Sequence, residues 1–135
     1  MKRWIKNESW IYRNTPGHES ASKEQFVLKL HELEVHEFHH GDCIGADADA
    51  HDIVREFFPN VKIIIHPPSK TKTQAFKQGD ESRIPAPYIT RDKAIVNETE
   101  YLIGSPHCEE IIRSGTWTTI RHARRTGKPH TVLDR

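Results

Sequence analysis

The sequence contains little cysteine and no long apolar run, and these absences exclude several classes of protein. Its 135 residues include two cysteines, Cys43 and Cys108, which lie far apart and in no Cys-x-x-Cys motif. That usage argues against a disulfide framework and suits a reducing compartment. No apolar run approaches the length of a membrane span, and the amino-terminal segment contains no signal-peptide core. We therefore expect a cytoplasmic protein with no membrane partner.

A strong charge of either sign is also missing. Lysine and arginine total 20 and aspartate and glutamate total 19, which leaves a formal net charge of +1. No overall field therefore favours a nucleic-acid surface, although basic residues gather locally between 121 and 128. The sequence also lacks a Gly-x-Ser-x-Gly nucleophile motif and a Walker lysine motif, which excludes two common catalytic arrangements.

Histidine is abundant, with ten residues, but its spacing does not indicate a metal site. No two histidines have His-x-x-x-His spacing on one predicted helix, and no paired Cys-x-x-Cys motif accompanies them. We therefore expect neither a metal ion nor a cofactor. Several histidines, among them His66, lie beside predicted strands, where contact with a ligand or with solvent is the expected role.

Short apolar runs alternate with segments of helical periodicity. Helices are predicted over 22–33, 46–58, 90–98 and 116–129, and strands over 34–38, 61–65, 101–106 and 130–133. This alternation predicts one α/β domain over residues 1–135, a Rossmann-like three-layer sandwich with a mostly parallel central sheet. The fold needs one more strand before the first helix, and residues 9–18 are the candidate. The polar stretch 69–88 has no convincing period, and whether it closes as a lid is left open.

The stretch HHGDCIGADADAH (39–51) lies between a predicted strand and a predicted helix. Gly41 and Gly45 allow a tight turn and a close backbone approach, and the helix N-terminus offers amides to an anion. Asp42 and Asp47 fit this picture less well, because carboxylates repel phosphate. They could cap amides, accept ribose hydroxyls or bind an amine. A capped helix start with no ligand is the competing interpretation.

Two further segments could face the same strand ends. RSGTW (113–117) feeds another predicted helix, where Gly115 and Thr116 would present amides and a hydroxyl to an anion, or would simply begin the helix. Trp117 could stack on a base, although packing within the protein is its more common role. Arg91 lies near the start of a third predicted helix, where it would clamp a phosphate through its planar fork or stay solvated at the surface.

Together, HHGDCIGADADAH, HPP, YITRDKAIVNETEYLI and RSGTWTTIRHARRTGKP resemble the SLOG superfamily. That group contains the LOG-type phosphoribohydrolases, the DprA-like proteins and nucleotide-sensing domains of bacterial immune effectors. The resemblance covers about residues 36–133 and is closest to small members from bacteria and phages. It implies a Rossmann-like sheet with a nucleotide pocket at the strand ends, in the cytoplasm of a bacterium or of a phage's host.

The resemblance also implies which residues contact the ligand. Matches to the glycine motif, the ligand-facing arginine and the phosphate turn are Gly41, Gly45, Ala46, Asp47, Arg91, Ser114, Gly115 and Thr116. With their neighbours in the same segments, the expected ligand-binding set also includes Asp42, Cys43, His66, Pro67 and Trp117.

Two departures from the family pattern bear on activity. LOG-type enzymes place a glutamate one helical turn after the Gly-Thr pair, where this chain has Thr119. The phosphate turn expected near the amino terminus is replaced by TPGH (15–18). We therefore do not expect an enzyme; for hydrolysis, Asp42, Asp47 or Glu110 would have to supply the missing carboxylate.

The leading hypothesis is a protein that binds a nucleotide-derived small molecule, such as an ADP-ribose or cyclic-nucleotide signal. It would sequester an immune signal without turnover. Two alternatives from other classes stay open: a LOG-like nucleoside 5'-monophosphate phosphoribohydrolase, and a DprA-like nucleic-acid accessory protein. The resemblance also implies at least a homodimer, formed through helices that flank the sheet.

Overall fold

The structure, a computed structural model, describes the backbone of residues 2–6, 18–104 and 115–133, and the side chains of residues 23–104 and 118–133. Within these residues the chain forms six strands and four helices. The strands are β1 (Lys2–Lys6), β2 (Glu37–His40), β3 (Lys62–Ile65), β4 (Glu81–Ser82), β5 (Tyr101–Gly104) and β6 (His130–Val132). The helices are α1 (His18–Leu33), α2 (Ala46–Phe57), α3 (Tyr88–Glu98) and α4 (Gly115–Thr126). No helix of this described part is both long and apolar enough to cross a membrane.

The strands form one sheet in the order β4-β3-β2-β1-β5-β6, and every neighbouring pair is parallel. The chain runs outward from β1 to β4 on one side and then returns to β5 and β6 on the other. The topological switch point therefore lies between β1 and β5, and the carboxyl ends of all strands meet at one edge. The predicted Rossmann-like α/β fold with a parallel central sheet is confirmed.

The core divides into two apolar layers because successive strand residues face opposite sides of the sheet. On β5, Ile103 joins a cluster that includes Phe26 of α1 and Val54 of α2. The preceding residue, Leu102, joins a second cluster with Ile95 of α3 and residues of α4. Helices α1 and α2 thus cover one face and α3 and α4 the other, which makes three layers.

The predicted position of the first strand was wrong. We expected it within residues 9–18, but the strand is β1 at Lys2–Lys6, and α1 already begins at His18. Residues 7–17, which contain most of the predicted strand, lie outside the described residues. The segment KRWIK has too few apolar residues to look like a central strand. It becomes one because β2 and β5 pair with its two edges.

The second strand also begins later than predicted, at Glu37 rather than residue 34, and it includes His39 and His40. Pairing with β3 places these histidines opposite Ile64 and Ile65. Both imidazoles are fully buried, which local hydrophobicity could not indicate.

The polar segment 69–88 is mostly without regular structure, but it adds β4 to the sheet edge beside β3. The Asp80 carboxylate accepts a hydrogen bond from the Ile63 amide at 2.7 Å. The Asp80 amide donates in turn to the Ile63 carbonyl at 2.8 Å. This end of the segment is therefore docked against the sheet.

Candidate functional site

Three of the segments predicted to carry the site meet at the carboxyl edge of the sheet. The loop after β2 supplies Gly41 and Cys43, the residues after β3 supply His66, and α3 supplies Arg91. The Arg91 guanidinium donates to the Gly41 carbonyl. It also lies 3.3 Å from the Cys43 sulfur and 3.5 Å from the His66 carbonyl. Tertiary folding thus joins groups as many as 50 residues apart in the chain.

Arg91 is 3% exposed, so it is a buried cation rather than a solvated helix residue. Burial by itself would lower the pKa of Arg91, but the nearby Cys43 sulfur and the carboxylates of Asp92 and Asp47 raise that pKa above its usual value. The guanidinium therefore stays charged. The guanidinium also lies over the Tyr88 ring. Its central carbon is 5.6 Å from the ring centroid, which is a favourable cation–π distance.

Gly41 is needed for this close packing. A Cβ atom at that position would lie 3.0 Å from Nη1 of Arg91 and 3.1 Å from Oδ2 of Asp47. Gly45 is needed for a different reason, because its φ of 106° and ψ of −125° lie outside the range of residues with side chains. It stands immediately before α2, which begins at Ala46.

The carboxylates of Asp42 and Asp47 accept hydrogen bonds from backbone amides of the protein and do not line an open site. Asp47 is fully buried, and its Oδ2 accepts a hydrogen bond from the Cys43 amide at 3.2 Å. Asp42 has a left-handed φ of 57°, and its Oδ1 accepts from the Lys77 amide at 3.0 Å. Of the roles considered for these carboxylates, capping of amides is the one that the geometry favours.

Several amides of the same loop are already bonded within the protein. The Asp42 amide donates to Nδ1 of His40 at 2.9 Å, and the Ile44 amide donates to the Thr73 carbonyl at 2.8 Å. The Asp42 carbonyl accepts from the Ala75 amide at 2.8 Å. The polar segment 69–88 is thus held on the β2–α2 loop. Fewer amides of this loop are therefore available to an anion than the sequence indicated.

A cavity of about 370 Å³ opens beside Arg91, next to the ends of β2 and β3. Its lining residues are Pro68, Ser69, Lys70, Thr73, Pro87, Tyr88 and Arg91. The volume falls at the small end of the range for ligand cavities. Two cations, two aliphatic hydroxyls and one phenol ring in the lining are groups that suit an anionic ligand with a planar part.

A larger groove of about 500 Å³ lies between α1 and α2, lined by Lys23, Glu24, Val27, Leu28 and Phe57. Its lining is mainly apolar and includes no residue of the strand ends. The cavity beside Arg91 is therefore the candidate ligand site that matches the sequence prediction. Self-association through α1 stays a prediction, and this groove is where α1 exposes apolar surface, with Leu28 67% exposed.

The remaining predicted site residues are only partly described. Pro67 is buried after β3, and Gly115 begins α4. Thr116 and Trp117 follow in that helix. Ser114 and Glu110 lie outside the described residues. Thr119 is 1% exposed, so the residue at the position of the LOG-type glutamate is packed inside the protein.

The histidine cluster beside the cavity was missed by the sequence analysis. Nδ1 of His39 lies 2.8 Å from Nε2 of His66. Burial, together with His39 and the positive charges of Arg83 and Arg91, lowers the pKa of His66 to about 3. In the described part of the chain, His39, His66 and Glu98 form the one group whose atoms could hold a metal ion. These three residues lie far apart in the sequence, so no local spacing motif could have indicated them.

Comparison with known proteins supports the fold. No family model matches the chain, and no curated protein matches it by sequence. A solved structure does match: the X-ray structure of the structural-genomics target TM1055 has a TM-score of 0.67 and 15% sequence identity. The match covers 96% of this chain and 71% of TM1055. At this identity the likeness shows the fold alone, a Rossmann-like α/β fold.

Proposed function

We propose that the protein binds a nucleotide-derived small molecule, of the ADP-ribose or cyclic-nucleotide type, in the cavity beside Arg91. The observation that carries this proposal is the pairing of a buried, charged Arg91 with the Tyr88 ring on the wall of a 370 Å³ cavity. The LOG-like fold and its strand-end crevice support it. Because the cavity is small, we expect one nucleotide unit inside it and the rest of a larger ligand outside.

The charges around the cavity favour a phosphate. Lys70 is exposed on the lining and can move toward a ligand, whereas Arg91 is fixed by the Gly41 carbonyl. Arg91 would act chiefly through its charge, because its Nη1 faces two backbone carbonyls, its Nη2 contacts the Cys43 sulfur and its Nε is buried. Lys70, Ser69 and Thr73 would donate the new hydrogen bonds. Tyr88 is 39% exposed and offers one ring face to a base or a ribose.

The positions of the Asp42 and Asp47 carboxylates support binding without turnover. Asp47 is buried and bonded to the Cys43 amide, and Asp42 is bonded to the segment 69–88. Neither carboxylate lines the cavity. A general base must reach the reacting atoms, so we propose that the ligand is held intact. Sequestration of a signal is then the role that this site would perform.

Calorimetry with AMP, ADP, ADP-ribose and a cyclic nucleotide tests the proposal. We expect binding of at least one ligand, with a Kd about tenfold weaker in Lys70→Ala because one charge-assisted hydrogen bond is lost. Lys72→Ala is the matched control, since Lys72 is also exposed but does not line the cavity. The affinity of Tyr88→Ala is compared with that of Ile89→Ala, its matched control, because Tyr88 lines the cavity and Ile89 does not.

Chromatography of the same mixtures tests turnover. Quantitative recovery of the intact ligand after long incubation is the expected result. Release of free base or ribose 5-phosphate would make the protein a hydrolase instead. Equal affinity of wild type and Lys70→Ala for every ligand would place the binding site elsewhere.

A further inference from the structure

Beside the cavity, a chain of four polar side chains crosses one face of the sheet. His39 of β2 is fully buried, and His66, just after β3, is 2% exposed. Glu37 precedes His39 on the same face of β2, and Glu98 is the last residue of α3. The side chains of Glu37 and Glu98 are 20% and 33% exposed. Two carboxylates therefore flank a buried pair of imidazoles.

The contact with Glu37 determines the tautomer of His39. Nε2 of His39 lies 2.6 Å from Oε1 of Glu37. A carboxylate accepts hydrogen bonds, so Nε2 carries the proton and Nδ1 of His39 presents a lone pair. This carboxylate–histidine pairing is the outer-shell arrangement that orients histidine ligands in metal sites.

His66 is left between two acceptors. Its Nε2 faces the lone pair of His39 Nδ1 at 2.8 Å, and its Nδ1 faces Oε2 of Glu98 at 3.9 Å. The 2.8 Å contact is a hydrogen-bond distance, so in the absence of a cation the single proton of a neutral His66 lies on Nε2 and is shared with His39. Nδ1 of His66 then presents a lone pair toward the Glu98 carboxylate, at a distance too long for a hydrogen bond. A cation that replaces this proton would have two imidazole nitrogens and a carboxylate oxygen as ligands.

The carboxylate of Glu98 is oriented for this role by Arg83. The Arg83 side chain contacts Oε1 of Glu98 at 2.9 and 3.0 Å, which leaves Oε2 directed toward His66. Arg83 and Arg91 offset the negative charges of Glu37 and Glu98, so a bound cation would be held by coordination to its ligand atoms rather than by a net negative field.

We propose that His39, His66 and Glu98 form a binding site for a divalent transition-metal ion of the zinc type. Their potential ligand atoms all lie within 4.8 Å of one another. Two imidazole nitrogens and one carboxylate oxygen are a ligand set suited to Zn²⁺, with a fourth position open to water. Glu98 gives access from solvent, because it is the most exposed of the three. The site is independent of the proposed nucleotide binding.

Titration of the metal-free protein with ZnCl₂ against a chromophoric zinc indicator tests the site. We expect one tight site per chain and a rise in melting temperature on zinc addition, because a metal that binds only the folded state stabilises it. His66→Gln and Glu98→Gln should each weaken zinc binding roughly tenfold or more. Glu98 is partly exposed, so that variant is expected to fold.

His51→Gln is the matched control, because it alters a buried histidine on the other face of the sheet. Its zinc affinity should equal that of the wild type. Substitution of Co²⁺ adds a spectroscopic test: visible d–d bands should appear, and the near-ultraviolet region should lack the thiolate charge transfer that coordination by Cys43 would produce. A wild-type protein without a tight site, or retention of wild-type affinity in both His66→Gln and Glu98→Gln, would overturn the proposal.

Discussion

His39 and His40 are neighbours on β2, yet their imidazoles face opposite sides of the sheet and meet different partners. His39 lies between Glu37 and His66, in a group that contains two carboxylates. His40 contacts His51 of α2, with Nε2 of His40 and Nδ1 of His51 3.0 Å apart. Its ring also lies 5.8 Å from that of Phe38, within the apolar layer. One histidine therefore belongs to a candidate cation site on one face of the sheet. The other makes a contact between two buried imidazoles in the core on the opposite face.

The largest expected effect is a loss of stability in acid that involves both faces. Burial lowers the pKa of His40 well below its usual value and that of His66 to about 3. The unfolded chain binds protons near pH 6.5 and the native protein does not, so stability is complete above that pH and falls below it. Each histidine contributes about 1.4 kcal/mol per pH unit.

Urea unfolding with chelator present, at about pH 7 and about pH 4.5, measures this effect. We expect the free energy of unfolding to fall by about 3 to 5 kcal/mol. His36→Gln, at an exposed position of the same segment, should leave the difference unchanged. A stability independent of pH over this range would mean that the buried imidazoles gain protons without unfolding.

A smaller effect is expected from His51→Leu, which alters only the apolar face. His51 is 5% exposed, and its loss removes the partner of His40 Nε2. The cost should be about 2 kcal/mol, because a buried polar atom loses its hydrogen bond. Thermal or urea unfolding measures it. Unchanged stability would indicate that the contact between His40 and His51 contributes nothing to the core.

Gly41→Ala alters the turn directly after the two histidines. The added methyl group would lie 3.0 Å from Arg91 and 3.1 Å from Asp47, closer than ordinary van der Waals contact, so we expect a loss of about 1 to 2 kcal/mol and weaker ligand binding. Gly127→Ala is the control, since nothing lies within 4 Å of its Cβ and its cost arises from a φ of 72°. Gly127→Ala should therefore leave ligand affinity unchanged. Equal ligand affinities in both variants would contradict the role given to Arg91.

The smallest stability effect is expected from Arg83→Gln, on the carboxylate face. The ion pair with Glu98 is about one-third exposed, so its loss should cost less than about 1 kcal/mol. Zinc affinity should nevertheless fall several-fold, because Oε2 of Glu98 is no longer held toward His66. Unchanged zinc affinity would remove Arg83 from the site. Parallel unfolding and zinc titrations separate the two effects.

Much of the fold could be predicted from the sequence, because the alternation of helices and strands is a local property. The runs of β-branched residues in β3 and of helical periodicity in α2 needed no knowledge of distant segments. β1 and β4 were missed for one reason. KRWIK and the dipeptide Glu81–Ser82 become strands only by pairing with neighbours that the sequence analysis could not place beside them.

The candidate site was predicted in its parts but not in its arrangement. Gly41 and Arg91 were both singled out as ligand contacts, but the sequence did not indicate that Arg91 is buried and bonded to the Gly41 carbonyl. Asp42 could not be assigned a role, since its partners lie in the segment 69–88, which has no local pattern. No sequence motif marks Glu98. It becomes a candidate ligand only because the fold places its carboxylate near His66.

By itself, the sequence determined the class of fold, the position of most helices and strands, and the two glycines around which the β2–α2 loop turns. These depend on side-chain periodicity and backbone freedom, which act over a few residues. Only the tertiary structure determined that His39 contacts His66, 27 residues away, and that the Arg91 guanidinium donates to the Gly41 carbonyl. The order of the strands fixes such pairs, and burial then determines the protonation and hydrogen bonding of each group.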